Sequence, residues 1–267
     1  MTGIRNAKRV VFKVGTSTLT YPTGKTNIRR LAKLVSILSD LQNEGREIVL
    51  VTSGAISVGA GKLGLKERPQ ETPARQAAAC IGQCELMFMY DKFFTEYSHT
   101  IGQLLITKSD VENDERRNNL INAFNNMFKF GAIPIVNEND SVAVEEIVYG
   151  DNDSLSAIVA SLINADALII LTDAEGLFSG NPQLDPDARL ISVVDEITPE
   201  VKALAGGAIS KQGTGGMITK LNAAELATSA GIDTVIMSGS DPREIYKLFD
   251  GHHIGTYFKG KKSENNG

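Results

Sequence analysis

The feature that most constrains this chain is a repeated alternation. Short apolar runs rich in β-branched residues end in a glycine or a polar turn, and segments of helical period follow them. Arg9 to Gly15 (RVVFKVG), Glu47 to Gly54 (EIVLVTSG), Thr100 to Thr107 (TIGQLLIT), Ala132 to Asp140 (AIPIVNEND), Ala167 to Asp173 (ALIILTD) and Asp233 to Gly239 (DTVIMSG) all read as strands. After the first strand, Ile28, Leu31, Leu34, Val35, Leu38 and Leu41 fall at helical spacing, with Asn27 placed to cap the start and Gly45 the end. Further helices are expected over the Pro73 to Tyr97 segment, over DERRNNLINAFNNMFKFG, NDSLSAIVASLINA and ITKLNAAELATSAG, and over REIYKLFDG. Strands alternating with crossover helices specify an α/β fold, a mainly parallel sheet covered on both faces. VEEIVYG reads as a short strand or hairpin arm, RLISVVDEI as strand or loop, GTYF as a final edge strand, and KGKKSENNG as a frayed polar tail.

Composition narrows the function classes. The 267 residues suffice for one large domain or two small ones. A formal net charge of -5 disfavours a general grip on nucleic acid, so an anionic ligand must be held by a few local lysines or backbone amides. Cys80 and Cys84 lie four apart in a helical segment and read as two buried thiols rather than a disulfide framework. No Cys/His cluster has zinc spacing, and His252 and His253 read as solvated turn residues. With no signal-type apolar run and no membrane-length stretch, the expectation is a soluble, cytoplasmic protein.

In sheets of this kind ligands bind outside the carboxyl ends of the strands. That rule selects Gly15-Thr16-Ser17, Thr52-Ser53-Gly54, Asn137 to Asp140, Thr172-Asp173 and Ser238-Gly239. Two motif matches elsewhere fail on context. GAGKLG (Gly59 to Gly64) fits G-x-G-x-x-G but lies well past the strand end near Val51, so it reads as a helix end and loop. GKT (Gly24 to Thr26) has Leu19 where a phosphate-wrapping loop needs its first glycine.

Lysines and carboxylates at the strand ends point to phosphate chemistry instead. Lys13 sits inside an apolar strand, where it either reaches a ligand or carboxylate at the strand end or guards an exposed sheet edge. GTGGMITK (Gly213 to Lys220) leads glycines into a helix whose N-terminus favours an anion, and places Lys220 where the dipole alone disfavours a cation. GDNDSLSA puts Asp151, Asn152 and Asp153 at a helix start, more polar groups than one cap needs. VNEND adds a second acidic cluster suited to an amino group, and no hydrolytic triad is visible.

In this order VFKVGTS, VTSGAISVG, VNENDSV, GDNDSLSA, ILTDAEGL and GTGGMITK resemble the amino acid kinase family, over about Lys8 to Phe258. The resemblance implies a three-layer αβα sandwich around a mainly parallel sheet, with residues 1–260 as one domain and 261–267 as a polar tail. Its N-terminal part would bind the amino acid, and the part from about residue 166 the nucleotide. The SGAI, NEND, GDND and GTGGM elements resemble those members that use ATP to phosphorylate the side-chain carboxylate of L-glutamate, the first step of proline biosynthesis. By similarity, Ser53, Gly54, Asp140 and Asn152 match substrate-binding positions, and Lys13, Lys220 and Asp153 match catalytic ones, Asp153 organising the two lysines. Lys13, Thr172, Asp173, Thr214, Gly215, Gly216, Met217, Ile218, Thr219 and Lys220 match ATP contacts. Mg²⁺ would be held mainly by nucleotide phosphates. The resemblance further implies feedback by L-proline, a homodimer or homotetramer, and a product passed to glutamyl phosphate reductase. It implies no nucleic-acid or membrane partner. Many members with these motifs carry a C-terminal PUA module, which this chain is expected to lack. Two other readings compete: a kinase of another small acid, and a non-catalytic sensor on the same fold. Retention of both lysines and Asp153 argues against the sensor.

Overall fold

The computed structural model describes residues 2–21, 23, 25–142, 152–182, 184–205 and 216–261. Its strands are β1 (Arg9–Val14), β2 (Glu47–Val51), β3 (Ile101–Ile106), β4 (Ile133–Glu138), β5 (Ala167–Thr172), β6 (Val193–Val194), β7 (Asp233–Ser238) and β8 (Thr256–Phe258), and its helices run in chain order from α1 (Thr2–Arg5) and α2 (Thr16–Leu19) through α6 (Lys108–Glu112), α7 (Asp114–Lys129) and α9 (Pro199–Leu204), with the others given below. They form one sheet in the order β3-β4-β2-β1-β5-β7-β8-β6, parallel except where β8 runs antiparallel to β7. GTYF is therefore an inner strand rather than the edge. Its far side is covered by Val193–Val194, which resolves the ambiguous RLISVVDEI segment into a two-residue edge strand. VEEIVYG lies outside the described residues.

The period of two along each strand divides the apolar side chains between two layers. Val10, Phe12 and Val14 face one core with α3 (Ile28–Asn43), α5 (Thr72–Thr95) and α11 (Glu244–Phe249). Val11, Leu168, Ile170 and Ile236 face a second core with α8 (Asn152–Leu162) and α10 (Met217–Ser229). This is the expected αβα sandwich. Lys13 shares the parity of Val11, so the sheet turns it towards α8 and α10. Because β1 is flanked by β2 and β5, the edge-strand reading of Lys13 is excluded.

Helix boundaries follow local chemistry. Asn27 Oδ1 accepts from Arg30 N at 3.1 Å to cap α3, and Gly45 takes the left-handed conformation just beyond its end. Leu31, Leu34, Val35, Leu38 and Leu41 are buried as predicted, whereas Ile28 at the helix start is exposed. GAGKLG is explained by packing. A Cβ on Gly59 would stand 1.8 Å from Ala78 O, and one on Gly82 would stand 1.8 Å from Ala55 O. Glycine at both positions lets α4 (Ala55–Lys62) lie directly on α5.

At the C-terminus, Lys259 N, Gly260 N and Lys261 N donate to Val194 O, Asp233 Oδ1 and Thr228 O. The chain is thus pinned through Lys261, later than the frayed tail predicted from Lys259. Among the described residues no helix is long and apolar enough to cross a membrane.

Candidate active site at the carboxyl ends of the strands

Parallel registers bring the predicted turns to one rim. Lys13 lies opposite Val51 and Ile170, Val51 opposite Val136, and Leu171 opposite Met237. The next residues on each strand form the site edge, tied by Thr52 N to Val136 O at 2.9 Å and Gly239 N to Thr172 O at 2.7 Å.

A charged triad lies at the centre of that edge. Lys13 Nζ is 2.7 Å from Asp153 Oδ1, and Lys220 Nζ donates to Asp153 Oδ2 at 3.0 Å. Thr219 Oγ1 donates to the same Oδ2 at 2.9 Å. Asp153 is 1% exposed, Lys13 6% and Lys220 7%. Burial alone would push the Asp153 carboxyl up, but the ammonium groups of Lys13 and Lys220 outweigh it and hold the carboxyl below its ordinary range. Two ammonium groups share one carboxylate, so the triad carries one net positive charge. Asp153 occupies the first turn of α8, a favourable place for an anion, and its charge offsets the unfavourable position of Lys220 in the first turn of α10.

Beside the triad runs a chain of amides. Asn152 Nδ2 lies 2.7 Å from Thr52 O, 3.0 Å from Ser53 Oγ and 2.9 Å from Asn137 Oδ1, its two N–H groups shared among the three acceptors. Asn137 Nδ2 donates to Gln83 Oε1 at 2.9 Å. Gln83 Nε2 is buried and has no partner among the described residues. Asn152 and Asp153 are consecutive, so the start of α8 joins the amide chain to the lysines. Gly54 begins α4 at φ +94°, and a Cβ there would also crowd Thr16 Cγ2 at 3.3 Å, which explains glycine after Ser53.

Asp140 borders a cavity of about 370 Å³ lined in part by Cys80, Gln83, Cys84, Gln103 and Glu138. Burial pushes its carboxyl up, while Arg68 and Arg75 pull it back. Both cysteines are free and exposed, contrary to the buried thiols expected. Their side of α5 faces the cavity, a tertiary fact that spacing on one helix could not supply.

On the opposite side of the triad, Thr172 is buried and its Oγ1 donates to the exposed Asp173 Oδ1 at 2.9 Å. Gly216 precedes α10, and Met217, Ile218, Thr219 and Lys220 form its first turn. Thr214, Gly215 and the rest of the glycine-rich approach lie outside the described residues, as does Asp151. Sequence reasoning missed Asn137 as the middle of the amide chain, and Gln83, Arg68 and Arg75 altogether. Gln83, closing the largely small-residue stretch AAACIG, was the one available signal.

Residues 8–238 match the family model described as the amino acid kinase family. The chain is 49% identical over 265 residues to the glutamate 5-kinase of Clostridium perfringens (strain 13 / Type A), covering 98% of each. It is 50% identical over 265 residues to that of Listeria monocytogenes serovar 1/2a (strain ATCC BAA-679 / EGD-e), covering 98% of this chain and 96% of the relative. Against the glutamate 5-kinase of Moorella thermoacetica it is 52% identical over 255 residues, covering 96% of this chain and 68% of the relative. Among solved structures, UMP kinase from Bacillus anthracis superposes with a TM-score of 0.64 at 17% identity, covering 96% of this chain and 97% of that one. A T. acidophilum isopentenyl phosphate kinase superposes at 0.63 and 17%, covering 94% and 100%. These two likenesses concern the fold.

Proposed function

Because the chain belongs to the amino acid kinase family, we propose that it is a glutamate 5-kinase, transferring the γ-phosphoryl group of ATP to the side-chain carboxylate of L-glutamate. The observation that carries this reading is the buried Lys13–Asp153–Lys220 triad at the carboxyl ends of the strands. A glutamate carboxylate is ionised at neutral pH and is already a nucleophile, so no general base is required. What the reaction requires is alignment of two anions and stabilisation of charge on the moving phosphoryl group. Lys13 and Lys220 supply that charge from a water-poor position, and Asp153 holds both ammonium groups towards one point before substrate arrives.

The two flanks divide the substrates. Ser53, Gly54, Asp140 and Asn152 receive glutamate, Asp140 taking its ammonium group, while Asn137 and Gln83 hold Asn152 from behind. Thr172, Asp173 and the run Thr214 to Lys220 receive the nucleotide, with the start of α10 directed at its phosphates. Asp153 is already shared by two lysines and Thr219, and among the described residues no three His, Cys, Asp or Glu side chains converge. Mg²⁺ on the phosphate oxygens would add Lewis-acid charge, its remaining positions filled by water. Residues 1–260 act as one catalytic domain, as a homodimer or homotetramer subject to L-proline, and the labile acyl phosphate passes to glutamyl phosphate reductase. The sensor alternative leaves the buried lysine pair without a purpose, and the full-length similarity to glutamate 5-kinases disfavours it.

ADP release coupled to NADH oxidation, run across a panel of amino acids and small acids, tests the reading. Glutamate-dependent turnover that falls by orders of magnitude in Lys220→Ala, with a smaller change in glutamate KM, is the expected result. Undiminished turnover in that variant, or a panel in which another acid is preferred, would refute it.

A further inference from the structure

Cys80 and Cys84 stand one helical turn apart on α5, and Gln83 shares their face. All three line the cavity that also carries Glu138 and Asp140. Both thiols are exposed and free, and the phosphoryl-transfer machinery uses neither. From this juxtaposition we propose that Cys80 and Cys84 form a two-thiol site for a soft, thiophilic centre such as a trivalent arsenical, and that filling it closes the amino-acid side of the cleft. The closure rests on the reading that glutamate enters beside Asp140. The thiol site itself does not.

Helical geometry selects this ligand class. Residues four apart on a helix have Cβ atoms about 5–6 Å apart. A disulfide needs about 3.5–4.5 Å, so direct oxidation would unwind the helix. One soft atom bonded to two sulfurs at about 2.3 Å each spans up to ~4.6 Å between them, which two converging side chains can meet. Paired thiolates also select soft centres over the hard cations preferred by the neighbouring carboxylates. Gln83 gives an independent sign that the wall is built to meet a ligand. It is 8% exposed, its Oε1 is engaged by Asn137, and its Nε2 donor has no partner among the described residues. A buried amide donor left unmet is destabilising, and an acceptor in the cavity would relieve that cost.

With phenylarsine oxide the step is a condensation. Two As–S bonds form, the arsenic–oxygen bond breaks, and the two thiol protons leave with that oxygen as one water. No atom changes oxidation state. The test treats the full chain with one equivalent of phenylarsine oxide and follows intact mass alongside glutamate and ATP saturation. The expected result is one phenylarsenic per chain, removed by 2,3-dimercaptopropanol and slowed by saturating glutamate. Glutamate KM should rise at least several-fold with ATP KM unchanged. Cys80→Ser and Cys84→Ser should each lose the stable adduct and the inhibition. No adduct on the unmodified chain, or an equally stable one on either serine variant, would overturn the two-thiol site. A stoichiometric adduct that leaves glutamate saturation unchanged would overturn the closure. Because mass reports the adduct whether or not glutamate is the substrate, failure of the site is distinguishable from failure of the glutamate 5-kinase reading.

Discussion

Replacing Asp153 by Asn removes the single negative charge between two buried ammonium groups while keeping side-chain size. Lys13 and Lys220 are then 2.7 Å and 3.0 Å from a neutral amide instead of a carboxylate. Breaking a buried ion pair by removing one partner costs about 3–5 kcal/mol, because the remaining charge is left desolvated and unpaired. For a chain slightly longer than 250 residues the low end of the usual sensitivity applies, about 2 °C per kcal/mol, giving a Tm loss of roughly 6–10 °C at neutral pH. The pH dependence follows from the depressed carboxyl. A group whose folded pKa is lowered contributes stability that is present above its unfolded value and lost as pH falls through its folded value. The gap between the two proteins should therefore be full at pH 7 and narrow below about pH 4, the ordinary aspartate range. Nucleotide gives an internal control. Phosphate oxygens can replace the lost anion, so ATP should raise the Tm of the variant by more than that of the parent, even though turnover is lost. Differential scanning fluorimetry across pH, with and without ATP, measures all three quantities. A neutral-pH loss under about 2 °C, or a gap that stays constant into acid, would refute the account of the triad as an electrostatic unit.

Asn137→Leu should cost about 1–3 kcal/mol in urea unfolding, because the buried Gln83 Oε1 loses its donor and Asn152 loses one acceptor, and an unchanged midpoint would remove Asn137 from the amide chain. Gly82→Ala puts a methyl group 1.8 Å from Ala55 O and 2.6 Å from Gly59 N, so α4 must move off α5. A stability loss of at least about 1–3 kcal/mol with a raised glutamate KM is expected, and a neutral substitution would contradict the close crossing. Asp140 should bind the glutamate ammonium only when ionised, and its carboxyl is pushed up by burial. As pH falls, kcat/KM for glutamate should begin to drop above the usual carboxylate range, and Asp140→Asn should abolish that limb; a limb that survives the substitution assigns it to another group.

Much of this protein was legible in its sequence because its signals are local. A parallel sheet needs buried runs, crossover helices and glycine or polar turns, and each leaves a mark of period 2 or 3.6 in the chain. The same alternation fixed which turns form the rim, since all strands joined by crossovers point their carboxyl ends one way. Lys13, Asp153 and Lys220 stood out because each is a charge in a place that local rules disfavour or do not need. The tertiary structure decided what those residues meet. Only the strand order, with β1 between β2 and β5, turned Lys13 from a possible edge guard into a buried partner of Asp153. The cysteines were misread as buried because one helix alone does not say which neighbour covers each face. Gln83 and Asn137 are 54 residues apart, and no periodicity announces their hydrogen bond. GTYF likewise carries an ordinary strand pattern, and its inner place depends on a two-residue strand too short to have any pattern of its own. Contacts between distant segments are set by how whole layers pack, and packing is a property of the assembled surfaces rather than of any one stretch of chain.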